Sequence, residues 1–146
     1  MLRMLSAMQR YSVCRVEING VRLKAYMADS GIKKMLGLMF WNGINNGECM
    51  LFEFGGMSRH GIWMHNMLIS IDVVWLDDKF RVVDYAKSLQ PCRSIWNCRT
   101  YYPKSGSMYV IEAPRGFVKS SKIRIGSKAK LGMAYARKAA PRTGKS

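Results

Sequence analysis

Alternation of apolar and polar residues near the start of the chain predicts a β-hairpin. Across residues 12–29, apolar side chains recur at every second position on both sides of Asn19-Gly20. This dipeptide favours the positive φ angles of a tight turn. The alternation assigns one set of side chains to the core, namely Val16, Ile18, Val21, Leu23 and Ala25.

The remaining pattern alternates short strands with short helices. Ser30 can cap a helix that runs to Met39, because apolar side chains recur there at helical spacing. Pro114 suits the first turn of a second helix, whereas residues 87–106, with two prolines and few apolar side chains, are typical of a surface loop. Apolar runs predict five more strands, at residues 50–54, 62–76, 80–85, 108–113 and 122–125.

These elements predict a mostly β (α+β) fold, a compact antiparallel β-barrel or sandwich-like domain with two short helices and a basic C-terminal extension. The predicted boundaries are an N-terminal arm at 1–11, a β-rich domain at 12–127 and the extension at 128–146. The extension is rich in alanine and lysine, which is compatible with a helix up to Pro141, but it has too few apolar residues to bury a face. It is therefore predicted to be an appendage.

Charge changes this picture, because 24 Lys and Arg oppose nine Asp and Glu, a formal net charge of +15. Such an excess favours association with polyanions or acidic surfaces. Residues 113–146 hold ten of these cations and no acid, although a solvated tail that aids solubility is the simpler alternative. The candidate polyanion-binding residues are Lys128, Lys130, Arg137, Lys138, Arg142 and Lys145.

Several classes of protein do not fit the sequence. Asp72, Asp77 and Asp78 interrupt the longest apolar run, so no membrane span is expected. Residues 1–10 lack the apolar length and cleavage site of a secretory signal. We therefore expect a soluble protein, cytoplasmic or within a particle such as a virion. Two histidines and four scattered cysteines predict neither a metal centre nor a bound cofactor.

Three motifs, in order along the chain, resemble one family. They are GLMF at 37–40, MLFEF at 50–54 and WMHNMLISID at 63–72, and together with later residues they resemble the domain of unknown function 192 over roughly residues 16–127. The resemblance implies a compact, mostly antiparallel β fold with no established reaction. The family places a cysteine pair at the positions of Cys92 and Cys98, which makes them a candidate disulfide; in a reducing cytosol the two would stay thiols.

The chain departs from the family pattern at four of these positions. His65 replaces the usual lysine, which puts in doubt any pocket that depends on that lysine. The other departures are Cys49 for glycine, Met67 for threonine and Ser70 for proline.

A polar group of residues near Trp63 forms the candidate ligand site. Its members are Arg59, Trp63, His65, Asn66, Asp72 and Glu112. His65 and Asp72 are the catalytic candidates as an acid–base pair, yet seven residues along a straight strand would separate them by about 23 Å. The alternatives are structural: Asp72 accepting backbone N–H groups, Trp63 packing in the core, and Glu112 pairing with a nearby cation.

The leading hypothesis is a non-enzymatic binding or structural module, whose basic extension docks onto nucleic acid or onto protein neighbours in a larger assembly. The candidate assemblies are a virion, another particle and a homo-oligomer. The alternatives are an enzyme whose cleft lies near Trp63, His65, Asn66 and Asp72, or a carbohydrate-binding protein that stacks sugars on Trp63. We therefore leave enzymatic activity undecided and favour binding.

Overall fold

One large sheet organises the computed structural model, which describes residues 1–132 and 135–143. The strands are β1 Tyr11–Ile18, β2 Val21–Ala28, β3 Glu48–Ser58, β4 Ile62–Trp63, β5 Ile71–Leu76, β6 Val82–Leu89, β7 Thr100–Tyr101, β8 Ser107–Pro114, β9 Ala129–Leu131 and β10 Tyr135–Ala139. The helices are α1 Leu2–Met8, α2 Gly31–Leu36 and α3 Phe117–Ser120, with a 3-10 turn at Ile95–Asn97. The main sheet runs β10-β1-β2-β3-β8-β5-β6, with β9 also paired to β1, and β4 and β7 form a separate ribbon. The mostly β fold is confirmed.

The hairpin predicted around Asn19-Gly20 is present as β1 and β2. Both turn residues have positive φ angles, 50° and 77°, and Val16 pairs with Leu23 across the strands. The helix that follows begins as predicted, because the Ser30 side chain accepts the N–H of Lys33. It carries the chain across to β3, which pairs with β2 in parallel.

The central strands are covered on both faces, since all six residues of β5 are buried. Side chains alternate between the faces along each strand. On one face, Val74 and Ala113 pack with Phe117 of α3. On the other, Val73 packs with Trp41 among the larger aromatic side chains. This two-sided core explains why the sequence of β5 is almost uninterruptedly apolar.

The C-terminal segment differs from its prediction. Residues 122–125 do not form the predicted strand, and Lys122 has a positive φ of 52°. The helical expectation for 128–140 is also wrong, because β9 and β10 both pair with β1. Helix propensity is worth only tenths of a kcal/mol per residue, and the open edge of β1 offers a full row of backbone hydrogen bonds instead.

The start of this segment also bonds to the opposite end of the sheet. The N–H of Val82 donates to the carbonyl of Ser127 at 2.8 Å, and the N–H of Ala129 donates to the carbonyl of Phe80 at 2.8 Å. Residues 126–131 therefore link β1 to the start of β6. The first residues of the predicted appendage are therefore part of the sheet and connect its two ends.

The N-terminal arm contains a helix, α1, that the sequence pattern did not reveal. Ser6 in this helix is buried, and its hydroxyl donates to the carbonyl of Met39 at 3.0 Å. Residues 1–132 and 135–143 thus contain three α-helices where two were predicted. Across residues 1–132 and 135–143, no helix has the length and apolar character needed to cross a membrane.

Candidate functional site

A pocket of about 170 Å³ opens between α2, its following turn and the β4 region. Trp63 lies at its mouth with 39% of its surface exposed, whereas Glu112 lies at its base with 4% exposed. Both residues belong to the ligand site predicted from the sequence, and the fold brings them to one cavity. The lining also includes Lys34, Gly37, Phe52 and Gly61.

Glu112 sits in the centre of the sheet, where β8 pairs it with Met50 on one side and Val73 on the other. The backbone N–H of Leu38 provides one hydrogen bond to its carboxyl group. The second oxygen, Oε2, is buried and has no hydrogen-bond partner among the described residues. Burial raises the pKa of Glu112 to about 8 despite that backbone hydrogen bond, so the group is mainly a neutral acid at neutral pH.

Gly37 keeps the space beside this acid open. Its backbone, with φ 50° and ψ −131°, adopts a conformation that residues with a side chain avoid. A Cβ atom here would lie 3.1 Å from Cζ of Phe52 and 3.6 Å from Oε2 of Glu112. The glycine both ends α2, three residues before the predicted end, and leaves room above the carboxyl group.

His65 belongs to a second cluster, beside the β4–β7 ribbon and two residues after the end of β4. Its ring centre is 5.0 Å from that of Trp63. One imidazole nitrogen and the sulfur atoms of Cys92 and Cys98 all lie within 4.8 Å of one another. The two cysteines are joined by a disulfide, with Cα atoms 5.3 Å apart. The cysteines are scattered in sequence, and the fold places two of them beside one histidine.

Asp72 occupies a different environment from both clusters. Its side chain is 1% exposed, and its two oxygens accept the N–H groups of Ser88 at 2.8 Å and Val118 at 2.9 Å. These bonds match the structural alternative for this residue. No hydrogen bond joins Asp72 to His65 in the part of the chain that the structure describes, so the acid–base pairing stays a prediction.

Arg59 and Asn66 hold loops in place. Nε of Arg59 donates to the carbonyl of Pro103 at 2.7 Å. Asn66 has a positive φ of 58°, its carbonyl accepts the N–H of Phe40 at 2.9 Å, and its amide nitrogen lies 3.8 Å from the sulfur of Met39. Neither residue is part of the pocket lining described above.

The comparisons with known proteins fit this fold. A family model described as uncharacterized ACR, domain of unknown function 192, matches residues 14–131. The chain belongs to this family. A UPF0127 protein of Pyrococcus horikoshii is 42% identical over 106 residues, which cover 71% of this chain and 84% of that protein. A UPF0127 protein of Thermococcus kodakarensis is 32% identical over 103 residues, which cover 70% of this chain but 61% of that protein's length.

Two crystal structures share the fold of this family member. A protein from Sinorhizobium meliloti superposes with a TM-score of 0.76 at 21% identity, over 83% of this chain and 95% of that one. A protein of unknown function from Novosphingobium aromaticivorans gives 0.72 at 21% identity, over 86% and 88%. At this level of identity the likeness concerns the fold alone.

The domain of unknown function 192 match runs through β9, so it includes Lys128 and Lys130. Both side chains are exposed. Arg142, in contrast, donates to Glu48 at 2.8 Å, and its carbonyl accepts the N–H of Asn42 at 2.8 Å. Lys145 and the side chains of Arg137 and Lys138 lie outside the described part of the structure.

Other exposed cations precede the predicted extension. With Lys128 and Lys130, they form what we call the basic segment, whose members are Arg115, Lys119, Lys122, Arg124, Lys128 and Lys130. None of the six forms an ion pair within residues 1–132 and 135–143, and residues 113–132 contain no acid. Lys128 and Lys130 belong both to this segment and to the predicted polyanion-binding set, whose other members lie nearer the C-terminus.

Proposed function

We propose that this protein is a non-enzymatic binding module whose pocket takes one small, neutral, hydroxylated ring, of the sugar class. The observation that carries the proposal is Oε2 of Glu112, a buried polar atom that faces the pocket and has no partner in the described chain. Buried polar groups are nearly always hydrogen-bonded. A ligand hydroxyl would supply the missing hydrogen bond.

The size and lining of the pocket support a single ring. A cavity of roughly 150 Å³ holds a molecule as large as benzene, and this pocket measures about 170 Å³. The half-exposed indole of Trp63 offers a flat face to the C–H side of a sugar. Met35, Met39 and Met67 complete the walls with side chains that adapt readily to a ligand's shape.

The protonation of Glu112 favours a neutral ligand. Because burial raises its pKa to about 8, the acid can donate through O–H at neutral pH and can still accept through its other oxygen. A ligand hydroxyl can serve either role, whereas a ligand anion would disfavour any ionisation of the glutamate. Lys34 is the other titratable side chain of the described lining. This sparse set of reactive groups supports binding over catalysis.

Tryptophan fluorescence can test this proposal. Trp41 and Trp75 are buried and Trp96 is 95% exposed, so a Trp96→Phe protein makes Trp63 the main solvent-accessible reporter. We expect a panel of neutral hexoses and N-acetylhexosamines to include a sugar that saturably changes this fluorescence. Adding Trp63→Phe to the Trp96→Phe protein should abolish the sugar-dependent change in fluorescence. Calorimetry should show the same sugar affinity in the wild-type and Trp96→Phe proteins.

Two substitutions of the acid separate its hydrogen bond from its volume. Glu112→Gln keeps a donor and an acceptor and should bind the sugar within about threefold of wild type. Glu112→Leu removes both and should weaken binding by about tenfold or more, since an unsatisfied buried partner costs about 1–3 kcal/mol. Equal affinity in the leucine variant, or no response to any sugar of the panel, would contradict the proposal.

A second function is favoured by the basic segment, and we propose it as docking onto nucleic acid or onto the acidic surface of a larger assembly. Six exposed cations without ion pairs in the described chain provide a polyanion-binding charge density. If about six of them meet duplex phosphates, affinity should fall roughly a thousandfold between 50 and 200 mM salt.

Fluorescence anisotropy with a labelled 20-base-pair duplex tests this docking. Lys128→Glu/Lys130→Glu should weaken binding and flatten its salt dependence. Arg3→Glu/Arg10→Glu is the matched control, because it changes net charge equally at the exposed arginines of the N-terminal region. Equal weakening by both pairs would show that net charge alone matters and would contradict docking through the basic segment.

A further inference from the structure

Three metal-ligating side chains meet beside the β4–β7 ribbon. One nitrogen of His65 and the sulfur atoms of Cys92 and Cys98 lie within 4.8 Å of one another, and all three residues are half-buried. We propose that, when the Cys92–Cys98 disulfide is reduced, these side chains bind a divalent zinc-class ion as a two-cysteine, one-histidine site. Water or an external ligand completes the coordination.

The strand register explains why the histidine and a cysteine meet. In the ribbon, Ile62 pairs with Tyr101 and Trp63 pairs with Thr100. Continued by two residues, the same antiparallel register sets His65 opposite Cys98. Cys92 is fixed on the same side, because its N–H donates to the carbonyl of Met64 at 3.2 Å. Backbone pairing therefore presents all three donors to one point.

The distances suit tetrahedral zinc after a small movement. Bonds of about 2.3 Å to sulfur and about 2.0 Å to nitrogen imply donor separations of about 3.5–3.8 Å. The histidine nitrogen already lies within 4.8 Å of both sulfur atoms. The two sulfur atoms start at the covalent distance of about 2.05 Å, so after reduction each must move by about 1 Å to reach the spacing that zinc requires. Both cysteines belong to one short loop around the 3-10 turn Ile95–Asn97, which can adjust more easily than a sheet strand.

The chemistry requires an external two-electron reductant, such as a dithiol. Its two thiols reduce the disulfide to two cysteine thiols, and the reductant becomes a disulfide by thiol exchange. Metal binding then displaces one proton from each cysteine, while the neutral imidazole donates its lone pair. Two thiolates balance the charge of a divalent ion. Because the same sulfur atoms form the disulfide, oxidised and metal-bound states exclude each other, and the loop is a redox-gated metal site.

The ligand types select the zinc class. Thiolates and imidazole suit zinc and its spectroscopic substitute cobalt better than magnesium or calcium, which prefer oxygen. The remaining cysteines, Cys14 and Cys49, are buried. Burial raises the pKa of the Cys14 thiol to about 11 and also raises that of Cys49, which keeps both as thiols. They provide an internal control of equal thiol number.

Cobalt spectroscopy on the full-length protein tests the site. After anaerobic reduction with a phosphine and removal of trace metal, titration with Co²⁺ should give thiolate-to-cobalt charge-transfer bands and the visible bands of four-coordinate cobalt, saturating at one ion per chain. Zinc should displace the cobalt. The oxidised protein should give neither band, and equal binding by oxidised protein would overturn the proposal.

Paired variants identify the ligands. Cys92→Ser/Cys98→Ser should abolish the charge-transfer bands, while Cys14→Ser/Cys49→Ser should retain them. His65→Ala should weaken zinc binding by more than about 100-fold, because even outer-shell changes cost 10- to 100-fold. His60→Ala should bind like wild type, since that histidine stacks on Phe54 instead. A His65→Ala protein with unchanged affinity and spectrum would overturn the site, as would bands that depend on Cys14 and Cys49.

Discussion

The neighbouring central strands β5 and β8 each bury a carboxyl group, and the two groups have different hydrogen-bond partners. Asp72 of β5 points toward the face that packs under α3, where its oxygens accept two backbone N–H groups. Glu112 of the neighbouring β8 points to the opposite face, beside the pocket. There one carboxyl oxygen has no partner in the described structure, and burial raises the pKa of the acid to about 8.

This difference shows what separates an anchor from a binding group in such a core. Burial alone does not, since Asp72 and Glu112 are 1% and 4% exposed. What separates the two is the number of carboxyl hydrogen-bonding positions that have no partner. A buried carboxyl group without partners costs stability that a ligand can restore. Substitutions at or near each residue can therefore test the two assignments.

The largest expected effect is the pH dependence that Glu112 gives to folding. Its pKa is about 8 in the folded protein against an ordinary value of 4.5, so its contribution to stability is fully present below pH 4.5 and is lost as pH rises through 8. Linkage sets the loss at up to about 5 kcal/mol. Glu112→Gln should remove this slope, which urea unfolding at pH 4.5, 6.5 and 8.5 will measure.

The matched control for this slope is Glu53→Gln. Glu53 is exposed and lies on β3, where it pairs with Tyr109 of β8, so Glu53→Gln makes the same replacement of a carboxyl group by an amide outside the pocket lining and should keep the wild-type slope. The assignment fails if Glu112→Gln and wild type lose stability in parallel as pH rises.

The next largest effect should come from Asp72→Ala. The substitution leaves the N–H groups of Ser88 and Val118 without their acceptor inside the protein, which should lower the free energy of unfolding by about 3–4 kcal/mol. Asp77→Ala is the control, because Asp77 also accepts two backbone N–H groups, each at 2.9 Å, but in an exposed turn. Its loss should be about 1 kcal/mol, and equal losses would show that burial does not strengthen the anchor.

A smaller effect is expected from closing the space next to Glu112 and leaving Asp72 untouched. Gly37→Ala forces a side chain into a φ of 50° and sets its Cβ 3.1 Å from Phe52. Strain of this kind costs about 1–3 kcal/mol, and the methyl group narrows the pocket. Gly20→Ala, which also has a positive φ but no atom within 4 Å of its Cβ, isolates the strain. The sugar-dependent signal should be lost in the first variant and kept in the second.

Local pattern was sufficient to predict much of the fold. The Asn19-Gly20 hairpin and the return from β5 to β6 depend on turn residues and alternation, which act over a few neighbouring positions. The pairing of β9 and β10 with β1 was not predictable in this way. Which strand edge is open is a property of the assembled sheet, and it overrode the helix-compatible composition of the C-terminal segment.

In the candidate sites, too, local pattern predicted the residues, and only the assembled fold determines which of them meet. Trp63 and Glu112 could be named from residue type and motif, but their shared pocket depends on the α2 crossover that brings Gly37 over β8. His65 and Cys98 are 33 positions apart and meet through the ribbon register. The glycine of the GLMF motif was the available signal for the pocket, because a glycine within a helix-like run often marks a close approach.

A third carboxyl group, Glu48, completes the comparison and gives the smallest expected effect. Burial acts to raise its pKa, but hydrogen bonds and charge, led by Arg142, lower it overall, so its contribution to stability is present above pH 4.5 and is lost as pH falls. Arg142→Ala should cost about 0.5–1 kcal/mol at pH 7, and the difference from wild type should shrink at pH 3.5 in urea unfolding. Arg22→Ala, which breaks a more exposed pair with Glu17 at 3.3 Å, should cost less. If the two losses match, the ion pair with Glu48 does not hold the Arg142 side chain in place. Its guanidinium is then as available to polyanions as the cations of the basic segment.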